Sequence, residues 1–186
     1  VQAGELPAVA DRLPSNPQVL EVAEVGTYGG TWRQAVTSGT FNHAQHHLTG
    51  YLSNGNALIY GQDKTTITTG WLESYENNED YTEFTFKLRD GLKWSDGEPV
   101  TTKDVEFWYN DILKNEELTP SEQYYTDCTL TVVDDTTWKF NFETGKPLYL
   151  AKWAYNDGSP FVYPSHYLEQ FHKNYNSEDE LAAKLS

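Results

Sequence analysis

Apolar and polar residues alternate most clearly between residues 84 and 89. Phe84, Phe86 and Leu88 are separated by polar residues, and this alternation predicts a β-strand with one face buried and the other in water. Residues 71–76 form a second strand-like segment, and the polar run at 77–80 between the two is typical of a turn. The pattern therefore predicts a β-hairpin.

A helix is predicted directly after this hairpin. Two Asp-Gly turn dipeptides follow the strand at 90–91 and 96–97, with Trp94 between them expected to pack into the core. Thr101 and Asp104 have the spacing of a capping box with Asp in the place of Glu. The apolar residues that follow at helical spacing are Val105, Trp108, Tyr109 and Ile112. Residues 84–112 are therefore expected to pack as one unit.

The rest of the chain repeats these elements. A second hairpin is predicted around Asp134-Asp135, with alternating residues at 138–142. Short helices are predicted at 147–153 and 164–171, and Ser177 caps a last helix. The first 29 residues contain three prolines and no periodicity, which indicates an extended arm, and residues 31–37 are a candidate first strand. The mixture predicts an α+β (mixed α/β) fold.

Composition narrows the class of protein. The 186 residues suffice for one substantial core, or a core with a small satellite sheet. An aromatic content of 15% excludes a disordered tail. The formal charge of -15 makes nucleic acid an unfavourable partner. No long apolar run predicts a membrane-spanning helix. The first 20 residues do not resemble a signal peptide, which fits a cytosolic protein or a mature secreted one.

No motif in the sequence points to catalysis. There is no Gly-x-Ser-x-Gly elbow, and no pair among the 28 acidic residues is singled out for glycoside hydrolysis. His43, His46 and His47 could bind a metal ion, but a polar loop explains them more simply because no further ligand completes the site. The single cysteine, Cys128, is expected to be a half-buried residue beside a strand. We therefore expect no catalytic residue, metal or cofactor.

Some aromatic residues lie outside the core periodicity. They fall near loops or element ends, where a ring can stack on a sugar or hold an apolar side chain, although packing at the core or its edge is the simpler explanation. These residues are Phe41, Tyr51, Tyr124, Tyr125, Trp153 and Tyr155.

The segment 85–105 carries a family resemblance. Its run TFKLRDGLKWSDGEPVT, followed by Asp104-Val105, resembles the extracellular solute-binding proteins of family 5, the peptide, nickel and oligosaccharide receptors of ABC importers. Residues 58–60, 72–76, 132–142 and 164–171 are similar to further stretches of that family. Two positions depart from it: Leu72 replaces a small residue, and Phe41-Asn42-His43 stands where Leu-Asp-Pro is common.

The resemblance implies a fold and an organisation. It places the chain in the N-terminal portion of lobe I of a two-lobe, periplasmic-binding-protein-like fold (type II, cluster C) with a β-rich subdomain. Residues 1–29 would be an N-terminal arm and residues 30–186 a partial lobe I. The second lobe would be absent from the chain. Such proteins close two lobes around a ligand.

The resemblance also implies a function. We expect an extracytoplasmic substrate-binding protein of an ABC transporter that delivers oligopeptides or oligosaccharides to membrane permease subunits, as a monomer and without catalysis. Its location would be periplasmic or extracellular, with a lipid anchor left open. The expected ligand contacts, chosen by position in the family and by aromatic character, are Ser38, His46, His47, Thr49, Tyr124, Tyr125 and Trp153. Two alternatives remain: a secreted glycan-active enzyme, and a structural or adhesive β-rich surface module.

Overall fold

The computed structural model describes residues 7–20, 22, 24–27, 29–31, 56–119, 125, 127–155 and 162–185. In chain order the elements are α1 (Val9–Arg12), β1 (Leu58–Tyr60), β2 (Ile67–Thr69), β3 (Leu72–Asn77), β4 (Glu83–Leu88), α2 (Thr102–Phe107), a π-helical segment (Trp108–Leu113), β5 (Cys128–Val132), β6 (Thr137–Phe142), α3 (Tyr149–Ala154), α4 (Ser165–Leu168), a 3₁₀ turn (Glu169–Phe171) and α5 (Glu178–Leu185). None of the helices in these ranges is long and apolar enough to cross a membrane.

Four strands form an antiparallel sheet in the order β3-β4-β6-β5, and β1 pairs with β2 in a separate hairpin. In the register of the larger sheet, Phe84 lies opposite Phe140 and Phe86 lies opposite Trp138. These four aromatic side chains are fully buried, because alternate residues of neighbouring strands point to the same face. Both predicted hairpins are confirmed, and the apolar alternation fixes which face of the sheet is inside.

Helix α3 covers this aromatic face. Tyr149 lies 4.7 Å from Phe84 between ring centroids, and Trp153 stacks on Phe86 at 4.5 Å. Tyr60 donates a hydrogen bond from its hydroxyl to the carbonyl of Ala151 at 3.3 Å, which joins the β1–β2 hairpin to the same helix. Burying an aromatic side chain of this kind stabilises the fold by roughly 1.5–3 kcal/mol. The core therefore lies between the four-stranded sheet and α3.

The predicted helix after residue 101 is right at its start and wrong further on. Thr101 and Asp104 form the capping box. From Trp108 the chain widens into a π-helical segment, whereas the spacing predicted a regular helix through Ile112. The wider turn brings Asp111 into the interior, where its carboxylate accepts hydrogen bonds from Asn174 at 2.7 Å and from the Tyr175 hydroxyl at 2.8 Å.

The N-terminal arm lies against the edge of the β-rich part. The backbone N–H of Ser15 donates to the Asp90 carbonyl at 2.9 Å. The guanidinium of Arg89 donates to the carbonyl of Asn16 at 2.6 Å and to the hydroxyl of Thr69 at 3.3 Å. Apart from the single helical turn of α1, the described residues of the arm lie in no helix or strand. Its treatment as a separate unit at residues 1–29 stays a prediction.

Candidate functional site

Most of the predicted ligand contacts lie outside the described residues. These are Ser38, His46, His47, Thr49 and Tyr124. The candidate first strand at 31–37 falls there except for Thr31, and the histidine cluster that was weighed as a metal site falls there entirely. Their roles stay predictions. Tyr125 and Trp153 are described, as is the point where the chain returns from residues 32–55.

The backbone at Asn56 and Ala57 lies very close to the backbone at Gly70 and Trp71. Gly70 donates from its N–H to the Ala57 carbonyl at 2.8 Å, and Trp71 donates to the Asn56 carbonyl at 3.3 Å. A Cβ on Gly70 would stand 1.9 Å from the Asn56 carbonyl oxygen. Only glycine permits this approach without a shift of the backbone. The close contact therefore fixes the backbone at Asn56 against the start of β3.

Tyr125 and Trp153 lie inside the core. Trp153 is 2% exposed and Tyr125 is 5% exposed. The indole of Trp153 stacks on Phe86, and the ring of Tyr125 meets Trp108 edge to face at 5.2 Å. Neither ring presents an open face to solvent, which agrees with the simpler explanation of packing in the core. A direct contact with ligand at these two positions stays a prediction.

A spacing signal could have placed Trp153 in the core. Tyr149 and Trp153 are four residues apart, so on a helix they share one face. Their rings are 4.8 Å apart in the structure. Tyr155, from the same group of aromatic residues, is 73% exposed and follows the end of α3. Of these aromatic residues, those on the inner face of α3 are therefore buried, and the one that follows the helix is exposed.

A polar pocket of about 280 Å³ opens between the starts of α2 and α4. Its lining residues are Glu98, Pro99, Thr101, Lys103, Asp104, Asp135, Ser165 and His166. At this site His166 Nε2 lies 2.8 Å from Asp96 Oδ2. This hydrogen bond raises the pKa of His166 above its ordinary value and lowers the pKa of Asp96. The pocket thus presents charges of both signs to solvent.

Asp104 holds the floor of this pocket together. It is 2% exposed, and its Oδ2 accepts hydrogen bonds from the Trp94 indole at 3.1 Å and the Thr101 N–H at 3.0 Å. Its Oδ1 accepts the N–H and the hydroxyl of Ser165 at 2.9 and 2.7 Å. One carboxylate therefore joins the turn after β4, the start of α2 and the start of α4. The half-buried Trp94 is oriented by this bond, which sequence reasoning did not find.

These contacts are structural in character. The Ser165 hydroxyl donates to Asp104, while His166 faces Asp96, so Ser165 and His166 do not form a nucleophile-and-base relay. Across the described part of the chain, no group of three His, Cys, Asp or Glu side chains is arranged to hold a metal ion. The pocket is suited to hydrogen bonding with polar groups.

The sequence profile described as "Bacterial extracellular solute-binding proteins, family 5 Middle" matches residues 66–184. That range covers the sheet, the capped helix α2 and nearly all of α5. The chain belongs to this family. The resemblance carried by residues 85–105 is therefore confirmed.

Relatives of the chain are named for binding different solutes. The chain is 28% identical over 200 residues to the periplasmic alpha-galactoside-binding protein of Rhizobium meliloti, covering 94% of this chain and 28% of that protein. It is 33% identical over 67 residues to the periplasmic oligopeptide-binding protein OppA of Haemophilus influenzae, covering 36% of this chain and 12% of that protein. The chain thus spans less than a third of the length of these family 5 relatives.

Solved structures agree with the family assignment. An oligopeptide-binding protein OppA superposes with a TM-score of 0.81 at 34% identity, covering 100% of this chain and 29% of the other. The periplasmic binding protein MelB from Agrobacterium fabrum, solved in complex with stachyose, superposes with a TM-score of 0.62 at 27% identity, covering 97% and 31%. The expected mixed α/β fold of type II periplasmic binding proteins is confirmed.

Proposed function

We propose that this chain serves in an extracytoplasmic solute-binding protein that delivers oligopeptides or oligosaccharides to an ABC importer. The observation that carries the proposal is the superposition of the whole chain on an oligopeptide-binding protein with a TM-score of 0.81. The named ligand classes of its family 5 relatives, peptides and α-galactosides, supply the two candidate solutes. Their chemistry is compatible with a cleft that offers hydrogen bonds and aromatic faces.

In this proposal the solute contacts come from the predicted positions at Ser38, His46, His47, Thr49 and Tyr124. Tyr125 and Trp153 then contribute indirectly, because their buried rings pack in the core between the sheet and α3. The backbone contact of Gly70 with Asn56 holds the first described residue after residues 32–55.

Binding without catalysis is part of the same proposal. The pocket residues Asp104 and Ser165 are occupied by each other, which supports a structural role. The partner would be the permease subunits of the importer, and the protein would act as a monomer in the periplasm or outside the cell. A lipid anchor at the membrane surface is compatible with this location.

Mass spectrometry of small molecules retained by the protein, purified as its cells make it, tests the proposal. We expect peptides or oligosaccharides to be released on denaturation and to be chemically unchanged after rebinding. A matched sample of the unfolded protein passed through the same columns is the control. Turnover of a glycan during incubation would overturn the proposal in favour of a secreted glycan-active enzyme. Absence of any bound or bindable solute would favour a structural surface module.

A further inference from the structure

Strand β5 forms one edge of the four-stranded sheet. Val133 donates to the Thr137 carbonyl at 2.9 Å and Glu143 donates to the Asp127 carbonyl at 3.3 Å. In the antiparallel register these bonds assign the odd-numbered residues of β5 to pairing with β6. The backbone groups of the even-numbered residues, from Cys128 onward, therefore point away from the sheet.

This outer edge is open only in its middle, because Tyr125 and Tyr109 bond it at Cys128 and Thr102 bonds the Asp134 and Asp135 carbonyls just after it. At Cys128 the N–H donates to the Tyr125 carbonyl at 3.1 Å, and the carbonyl accepts the Tyr109 hydroxyl at 2.7 Å. At Leu130 and Val132 the outward N–H and C=O groups have no hydrogen-bond partner among the described residues. Four backbone groups of the edge are thus available in the part of the chain that the structure describes.

The open edge lacks the features that usually protect one. Natural edge strands carry charged side chains, proline or a bulge that discourage pairing with another chain. Residues 128–133 read Cys-Thr-Leu-Thr-Val-Val, without charge or proline, and their pairing with β6 is regular. Val132 is 37% exposed and Val133 is 55% exposed. The strand therefore offers both backbone groups and apolar contact.

We propose that the β5 edge binds an extended segment of another protein, which adds to the sheet as a fifth, antiparallel strand. The acidic end of β5 selects the segment and its direction. Exposed Asp134 and Asp135 follow the strand, and the N-terminal end of an antiparallel segment lies nearest to them. An antiparallel segment with a basic N-terminal end and an apolar middle matches this polarity.

A second copy of the chain fits the edge less well. Two β5 strands paired antiparallel through Leu130 and Val132 would bring Asp135 of one copy opposite Asp127 of the other, where the ion pair with Lys146 at 3.1 Å offsets only the charge of Asp127. Each copy also carries a formal charge of -15, which opposes association at low salt. The edge therefore favours a basic partner segment. This inference is independent of the solute site, since β5 carries none of the predicted solute contacts.

A peptide titration followed by amide NMR tests the proposal. The probe has two lysines followed by alternating valine and threonine, and the control peptide has glutamates in place of the lysines. We expect saturable shifts of the Leu130 and Val132 amide signals with the lysine probe and much weaker binding of the control. Before peptide is added, the same two amides should exchange with solvent faster than those of Thr129 and Thr131.

Two variants complete the test. Val132→Pro removes an outward N–H that β6 does not use, so the sheet should persist while the probe binds about tenfold more weakly. Asp135→Asn should weaken the lysine probe at low salt, and Glu79→Gln in the distant β3–β4 turn should not. Unchanged binding to Val132→Pro, or shifts that bypass Leu130 and Val132, would overturn the proposal. Self-association that Val132→Pro abolishes, without peptide binding, would instead identify a second copy as the occupant.

Discussion

The replacement Asp104→Asn tests how the buried carboxylate holds the fold. An amide has one acceptor oxygen, so its NH₂ group must face either Ser165 or the pair formed by Thr101 and Trp94. Whichever side it faces, a backbone N–H that now donates to the carboxylate loses its acceptor. A hydrogen bond to a charged group contributes about 1.5–3 kcal/mol, and an unsatisfied buried donor costs about 1–3 kcal/mol.

From these contacts we expect Asp104→Asn to lower the free energy of unfolding by about 2–4 kcal/mol. Loss of the helix cap alone would cost only about 1 kcal/mol. The larger figure therefore measures the additional links to Trp94 and Ser165. Asp104→Ala removes every one of these acceptors and should cost more than the amide.

Urea unfolding, followed by tryptophan fluorescence, measures the difference at a constant denaturant slope. The matched control is Asp135→Asn, because this exposed carboxylate lines the same pocket and surface changes usually stay within about 0.5 kcal/mol. A loss below about 1 kcal/mol for Asp104→Asn would show that the residue acts as a cap and nothing more. That result would refute the three-element junction.

Three further predictions concern other parts of the fold. Gly70→Ala should lower the unfolding free energy by about 2 kcal/mol or more, because its Cβ would meet a carbonyl oxygen at 1.9 Å; Gly26→Ala, with open space around it, should leave the urea midpoint unchanged. The hydrogen bond between His166 and Asp96 raises the imidazole pKa above 6.5 and lowers the carboxyl pKa below 3.8. The pair therefore stabilises the fold fully between pH 3.8 and pH 6.5, the two ordinary pKa values. This stability is lost as pH rises through the raised imidazole pKa or falls through the lowered carboxyl pKa. Wild type should approach His166→Gln in urea midpoint above the raised imidazole pKa, and a constant difference would contradict the pairing. Burial raises the pKa of Cys128 to about 12, so its thiol should resist alkylation at neutral pH until urea unfolds the chain, and rapid labelling of the native protein would show that the strand opens.

Elements that depend on local pattern could be predicted from the sequence. The alternation at Phe84, Phe86 and Leu88 gave both the strand and its buried face, because a one-residue shift would expose all three side chains. The capping box of Thr101 and Asp104 is likewise local. The π-helical segment was not predicted, and its buried Asp111 bonds Tyr175, a residue 64 positions further along the chain that no local pattern links to it.

The candidate site divides in the same way. The helical spacing of Tyr149 and Trp153 indicates that Trp153 faces the core. Its position in the chain, near a loop, had instead favoured a ligand contact. The Asp104–Ser165 contact joins residues 61 positions apart, and no local pattern marks it. The family resemblance in the sequence was carried by residues 85–105, whose aromatic and turn residues build the scaffold. The segment that identifies the protein is thus separate from the positions proposed to contact solute.

A thermal-shift titration on the protein, purified as its cells make it, tests solute binding most directly. A ligand that binds only the folded state stabilises it by about 2.7 kcal/mol at a concentration of 100 times Kd. We predict a saturable rise in Tm with either short peptides or α-galactosides, and no chemical change in the ligand that binds. No shift with any member of both panels, while the protein remains folded, would contradict its assignment as a solute receptor.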